Sequence, residues 1–177
     1  MSSATMSERS GPTIIPQTEP RFVTLPPAKF AVVHVTGAAR HLRDEALESL
    51  YASVGALRAV DEAAGLDFDL GPLRMRVPDA QMGPLHLWRS VFALPVPDRT
   101  VEMPQTDPTF PVDIEVWVYG TAAELLHEGP EETKPVTVQR LQEFIIGNKR
   151  RLAGWREEIY LGTGPHGGRT LLRYPIV

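Results

Sequence analysis

The chain has no cysteine, which excludes a disulfide framework, a thiol nucleophile and a cysteine-based zinc site. No apolar run approaches the roughly 18 residues that would suggest a membrane span. The N-terminus does not pair a basic stretch with an apolar one, so it does not read as a signal peptide. Positive charge is in deficit: 18 Lys and Arg face 22 Asp and Glu, a net charge of −4. That balance argues against a protein that holds nucleic acid by bulk electrostatics. The simplest location is the cytoplasm, with neither a membrane nor nucleic acid as a direct partner.

Catalytic motifs are sparse too. There is no Walker A loop. The glycine-rich stretch Gly162-Thr163-Gly164-Pro165-His166-Gly167-Gly168 lies between two strand-like segments and has no helix to receive a phosphate, so it reads as a hairpin loop. The five histidines are scattered without His-x-x-x-His spacing, so neither a metal site nor a cofactor is expected. No Gly-x-Ser-x-Gly elbow appears. The pairs Asp61-Glu62 and Glu131-Glu132 read as solvated or dipole-facing charges.

What is present is a soluble-protein composition, 42% hydrophobic and 23% charged, over 177 residues. That length suffices for a sizeable core. Seventeen prolines favour strands joined by turns over long helices. Residues 1–20 lack periodicity and are expected to be a disordered leader, which leaves residues 21–177 as one domain.

That domain repeats itself. Arg21 to Thr36 reads as strand, proline bend and strand, ending at Gly37. Leu47, Leu50, Val54, Leu57 and Ala64 then recur at helical steps, with Gly65 as a stop. Pro72 to Val77 and Leu85 to Val96 follow as strands. Next, Pro111 to His127 reads as one long extended segment ending at Gly129. A helix is predicted with Val138, Leu141, Ile145 and Leu152 on one face, Lys149 to Arg151 near its end and Gly154 as its stop. Two strands close the chain. The echoes fall in one order: His34–Gly37 with His127–Gly129, Gly65-Leu66 with Gly154-Trp155, Pro95-Val96 with Pro175-Ile176-Val177. They predict a duplicated β-α-β-β module, about residues 21–97 and 98–177. The expected class is α+β, an antiparallel sheet with two helices on one face and the helix-free faces lining a central cleft.

Strand alternation populates that cleft. Glu158 and Tyr160 share one face, and Ile159 and Leu161 the other. Asp113, Glu115, Trp117 and Tyr119 oppose Ile114, Val116 and Val118. If the aliphatic faces meet the helices, then Trp88, Trp117, Tyr119 and Tyr160 gather around Glu158. His86 is a polar wall residue and Tyr174 a further member, although Ile176 shares its face. Structurally, Trp and Tyr also suit any half-buried pleated surface, and Glu158 by itself reads as a solvated carboxylate. Together they suggest an unpartnered acid among rings that lower the local dielectric and raise its pKa. A lipophilic cation would pair with such an acid and gain cation–π contacts.

The order Leu25-Pro26-Pro27, Val33-His34, Gly37, a helix, Gly71-Pro72, Pro95-Val96, His127, Gly129, a second helix, Gly154-Trp155, Glu158-Ile159-Tyr160-Leu161 and Pro175-Ile176-Val177 resembles the GyrI-like small-molecule-binding family. That family is also known as the effector-binding domain of multidrug-responsive bacterial transcription regulators. The resemblance covers about residues 20–177 and implies that Glu158 meets ligands in the cleft. Some relatives carry an N-terminal helix-turn-helix; this chain is similar to the stand-alone members. A subset of those hydrolyses cyclopropane-containing alkylating compounds with a cleft glutamate and aromatics. The chain departs from the family with Gly129-Pro130-Glu131-Glu132-Thr133 before its second helix and with the apolar Leu85-His86-Leu87-Trp88.

Three functions follow as expectations. The first is a stand-alone binder of lipophilic compounds, cations among the candidates, for sensing or sequestration. The second is a hydrolase of strained or reactive molecules with Glu158 as its catalytic group. The third is a protein-interaction module, which calls for a large exposed apolar patch that no segment of the sequence supplies.

Overall fold

A computed structural model describes residues 19–79, 82–165 and 167–177. The expected leader falls outside them except for its last two residues.

Among the described residues, eight strands and two α-helices follow one another in two matching series. The first is β1 (Arg21–Leu25), β2 (Ala28–Thr36), α1 (Arg40–Ala63), β3 (Arg74–Val77) and β4 (Arg89–Pro95). The second is β5 (Asp113–Trp117), β6 (Gly120–Glu128), α2 (Lys134–Gly147), β7 (Arg156–Gly164) and β8 (Gly167–Pro175). All pair antiparallel in one sheet of order β1-β6-β8-β7-β3-β4-β2-β5. Exchanging each strand for its counterpart, β1 for β5 and so on, reproduces the same order reversed. The duplication therefore describes two β-β-α-β-β halves, one strand richer than expected, that trade their first strands across the sheet.

That trade forces the sheet to curl. Leu25 and Ala28 are three residues apart, a reach of at most about 10 Å. Yet β1 and β2 stand six places apart in the order, about 29 Å in a flat sheet. The link through Val118 and Tyr119 makes the same demand on β5 and β6. The helix-free face is thus folded inward.

Each helix covers one pair of strands. On α1, Ala46, Leu50, Val54 and Leu57 recur at three- and four-residue steps and pack on Ala31, Val33 and Val35 of β2 and Phe92 and Leu94 of β4. Ser49 and Ser53 share its buried face and donate hydrogen bonds to the carbonyls of Phe110 and Pro104, which ties down the connection between the halves. On α2, Leu141 and Ile145 pack on Ala123, Leu125, Leu172 and Tyr174. Gly37 opens the turn into α1 with φ +116°, a backbone conformation that calls for glycine.

Three sequence readings need correction. The second helix ends at Gly147, not Gly154; Lys149 turns back in the left-handed region, and Leu152 leaves the helix to bridge with Ile176. The segment read as a strand from Leu85 begins with a turn of 3-10 helix, Leu85–Leu87, and enters the sheet at Arg89. Val116 and Val118 are exposed rather than packed on a helix, because β5 is an edge strand whose other face turns into the curl. No helix of the described residues is long and apolar enough to cross a membrane.

Candidate functional site

With α1 over β2 and β4 and α2 over β6 and β8, the β3–β7 seam is left uncovered between the helices. Its register sets Met75 opposite Glu158 and Arg76 opposite Glu157. Met75 pairs with Phe92 and Glu158 with Leu172, both of them helix-side residues. Glu158 therefore faces the gap between the helices, while its neighbour Glu157 faces the inside of the curl. The expectation that helix-free faces line the cleft is reversed. The helices leave the seam open, whereas the curl closes the other face except for a smaller cavity at one end.

Glu158 is 2% exposed and is heavily partnered. The ammonium of Lys134, at the start of α2, donates to Oε1 at 2.7 Å. Arg156, two residues earlier on the same strand face, holds Nε and Nη2 at 3.1 and 3.0 Å from Oε2. The Tyr160 hydroxyl lies 3.4 Å from Oε1. Arg156 also reaches Asp79 at 2.7 Å, Lys134 reaches Glu131 at 2.5 Å, and Tyr174 donates to Asp79. Gln142 donates to Asp79 at 3.1 Å and to the Tyr174 hydroxyl at 3.2 Å. The expected unpartnered acid is thus a carboxylate shared by two cations. In a low-dielectric site that sharing offsets the desolvation of all three charges.

Above this floor is a cavity of about 560 Å³, within the range typical of small-molecule sites. Lys134, Val138 and Gln142 line it from successive turns of α2, with Pro135 and Glu131 at the rim. A second cavity of about 340 Å³ shares Asp79 and Arg156 with it and continues past Met75 and Val77 to Trp88 and the start of α1.

The structure thus brings Glu158, Tyr160 and Tyr174 together and puts Trp88 in the adjoining cavity. His86 sits in the exposed 3-10 turn, away from Glu158. Trp117 and Tyr119 are on the helix-free face, where the Tyr119 hydroxyl donates to Glu157 at 2.8 Å. Sequence reasoning missed Lys134, Asp79, Gln142 and Arg156. Of these, Arg156 was legible, since the alternation that pairs Glu158 with Tyr160 also includes it.

The tyrosines record this burial. Burial, and then the proximity of Glu158, push the Tyr160 hydroxyl well above its ordinary value. Burial and the hydrogen bond to Asp79 push Tyr174 up to about 12. Tyr119 rises by burial and by Glu157, and Tyr51 by burial. All four protons are held more tightly in the folded chain than in the unfolded one. Their contribution to stability is whole below the ordinary tyrosine value of about 10 and is lost as pH rises through the raised values. A tyrosinate absorbance titration is expected to show Tyr119, Tyr160 and Tyr174 ionising above the ordinary value while the chain stays folded, with the exposed Tyr51 the first to ionise. Ionisation of all four near the ordinary value would contradict the burial described.

Among the described residues, no group of three His, Asp or Glu is placed to hold a metal ion. No family model matches the chain, and no curated relative does either. Solved structures do match. An uncharacterized conserved protein from Listeria innocua superposes with a TM-score of 0.78 at 21% identity, covering 92% of this chain and 94% of that one. A Listeria innocua structure described as a hydrolase gives 0.76 at 21% identity, over 93% and 94%. The C-terminal domain of EcmrR gives 0.61 at 12% identity, over 90% and 97%. The chain therefore has the fold of these proteins along nearly its whole length.

Proposed function

We propose that this chain is a GyrI-like domain that binds a small organic molecule in the cleft between α1 and α2, with Glu158 as its polar anchor. The observation that carries this reading is Glu158 itself. Elsewhere the helices meet the sheet mainly through apolar contacts, and a buried ion pair is an expensive substitute for them. Along the seam, a buried carboxylate with two cations instead forms the floor of an open cavity.

The partners of Glu158 sharpen the ligand class. A lipophilic cation cannot meet a free carboxylate here; it has to displace the ammonium of Lys134, a flexible group that retains Glu131 as an alternative partner. The fitting ligand is a largely apolar molecule with one polar head. The head either replaces Lys134 at Glu158 or accepts from Lys134 and Arg156. Val138, Pro135, Met75 and Val77 supply apolar walls, so affinity scales with buried area while the polar floor sets orientation.

A second reading is hydrolysis of a reactive small molecule. What favours it is the Tyr160 hydroxyl beside the Glu158–Lys134 pair. A carboxylate that orients water, with an ammonium and a hydroxyl beside it to stabilise a departing anion, forms a set suited to such a step. The fold likeness to a protein described as a hydrolase agrees with it.

A calorimetric panel of tetraphenylphosphonium, neutral aromatic alcohols and cyclopropane-containing compounds, with products followed by chromatography, separates the readings. Binding without product supports a sensing or sequestering module. Product formed by wild type and lost in Glu158→Gln supports the hydrolase. If nothing binds or reacts, both readings fall.

A further inference from the structure

The helix-free face gathers charge of the opposite sign. Glu157 receives Arg74 at 3.3 Å, with Arg76 and Arg173 each at 3.6 Å. Glu124 receives Arg173 at 2.6 Å and Arg21 at 3.2 Å. Four arginines therefore share two glutamates. The shortage of acceptors is visible at Arg74, whose Nε is buried without a hydrogen-bond partner. Arg76 is served worst of the three around Glu157. Its contact is long, it is the most exposed of them, and its guanidinium lies 3.8 Å over the Trp117 ring and 5.3 Å from that of Tyr119.

Arg76 opens onto a cavity of about 360 Å³ at one end of this face, walled by Trp117, Trp155, Val91 and Pro175. Glu115 is the one carboxylate in its lining, and it is already engaged by His34 at 2.8 Å and the Trp117 indole at 3.2 Å. A guanidinium fork with spare donors, held flat by one indole and facing a pocket bounded by a second, suits a carboxylate attached to a flat ring. The fork takes both oxygens and the ring packs against tryptophan.

We propose that this pocket is a second binding site, separate from the inter-helix cleft, that takes planar aromatic carboxylates on Arg76 between Trp117 and Trp155. It explains two of the sequence's aromatics that the cleft leaves unused.

The test is calorimetric titration of the full chain with 2-naphthoate, 2-naphthalenemethanol and 2-naphthylmethylammonium. Naphthoate is expected to bind best, and Arg76→Gln and Trp155→Ala are each expected to weaken it by about tenfold or more. Glu158→Gln is expected to leave it unchanged. Trp155→Ala removes no ion pair or hydrogen bond of the Glu157 network, so it decides the matter if Arg76→Gln fails to fold. Absence of naphthoate binding, equal or tighter binding of the ammonium, indifference to Trp155→Ala, or loss in Glu158→Gln would each overturn the proposal.

Discussion

Replacing Glu157 by alanine is expected to destabilise the fold by about 3–5 kcal/mol, the usual cost of removing one partner from a buried ion pair. The side chain is 2% exposed and is the common acceptor for Arg74, Arg76, Arg173 and the Tyr119 hydroxyl. Those groups come from β3, β8 and the β5–β6 link, so their loss loosens the inside of the curl where both halves meet. Arg173 retains Glu124, but Arg74 and Arg76 retain no carboxylate among the described residues. Glu157→Gln keeps an acceptor for Tyr119 and is expected to cost less than alanine. Urea denaturation measures both as lowered midpoints at an unchanged slope. A midpoint for Glu157→Ala close to that of wild type would contradict the role given to this network.

Glu158→Gln is expected to behave in the opposite manner. Its stability cost is smaller, because Lys134 keeps Glu131 and Arg156 keeps Asp79 when the charge is lost. Its functional cost is larger. A charge-assisted hydrogen bond to a ligand head is worth about 1.5–3 kcal/mol, or roughly ten- to hundredfold in affinity. Lys134→Met should distinguish the two modes of head-group recognition. If the head displaces the ammonium, affinity for cations rises; if the head accepts from it, affinity falls. On the proposed function, two adjacent glutamates carry separate burdens, one for the fold and one for the ligand. A Glu158→Gln protein with intact stability and undiminished ligand affinity would remove the carboxylate from the account.

Much of the architecture was legible because it is local or repeated. The helical spacing of Leu47, Leu50, Val54 and Leu57 marked the buried stripe of α1, and the ordered echoes marked two related halves. The face of each strand was not. Alternation separates Trp117 and Tyr119 from Val116 and Val118, but a period of two cannot say which set turns inward. That depended on the curl, and so on where β1 and β5 pair. The neighbours of Glu158 were hidden for the same reason. Lys134 and Asp79 lie 24 and 79 residues from Glu158 in sequence; Lys134 reaches it from α2, and Asp79 is linked to it through Arg156. Nothing in the pair Glu157-Glu158 announces that both are buried, on opposite faces of one strand.

The central claim is that the inter-helix cleft over Glu158 is where a small molecule binds. Backbone amide chemical-shift mapping with the tightest-binding compound of the panel tests it most directly. The account predicts that the largest shifts fall on Lys134, Val138, Gln142, Arg156 and Glu158, which line one cavity from α2 and β7. Largest shifts around Trp117 and Trp155, with this group unmoved, would contradict it.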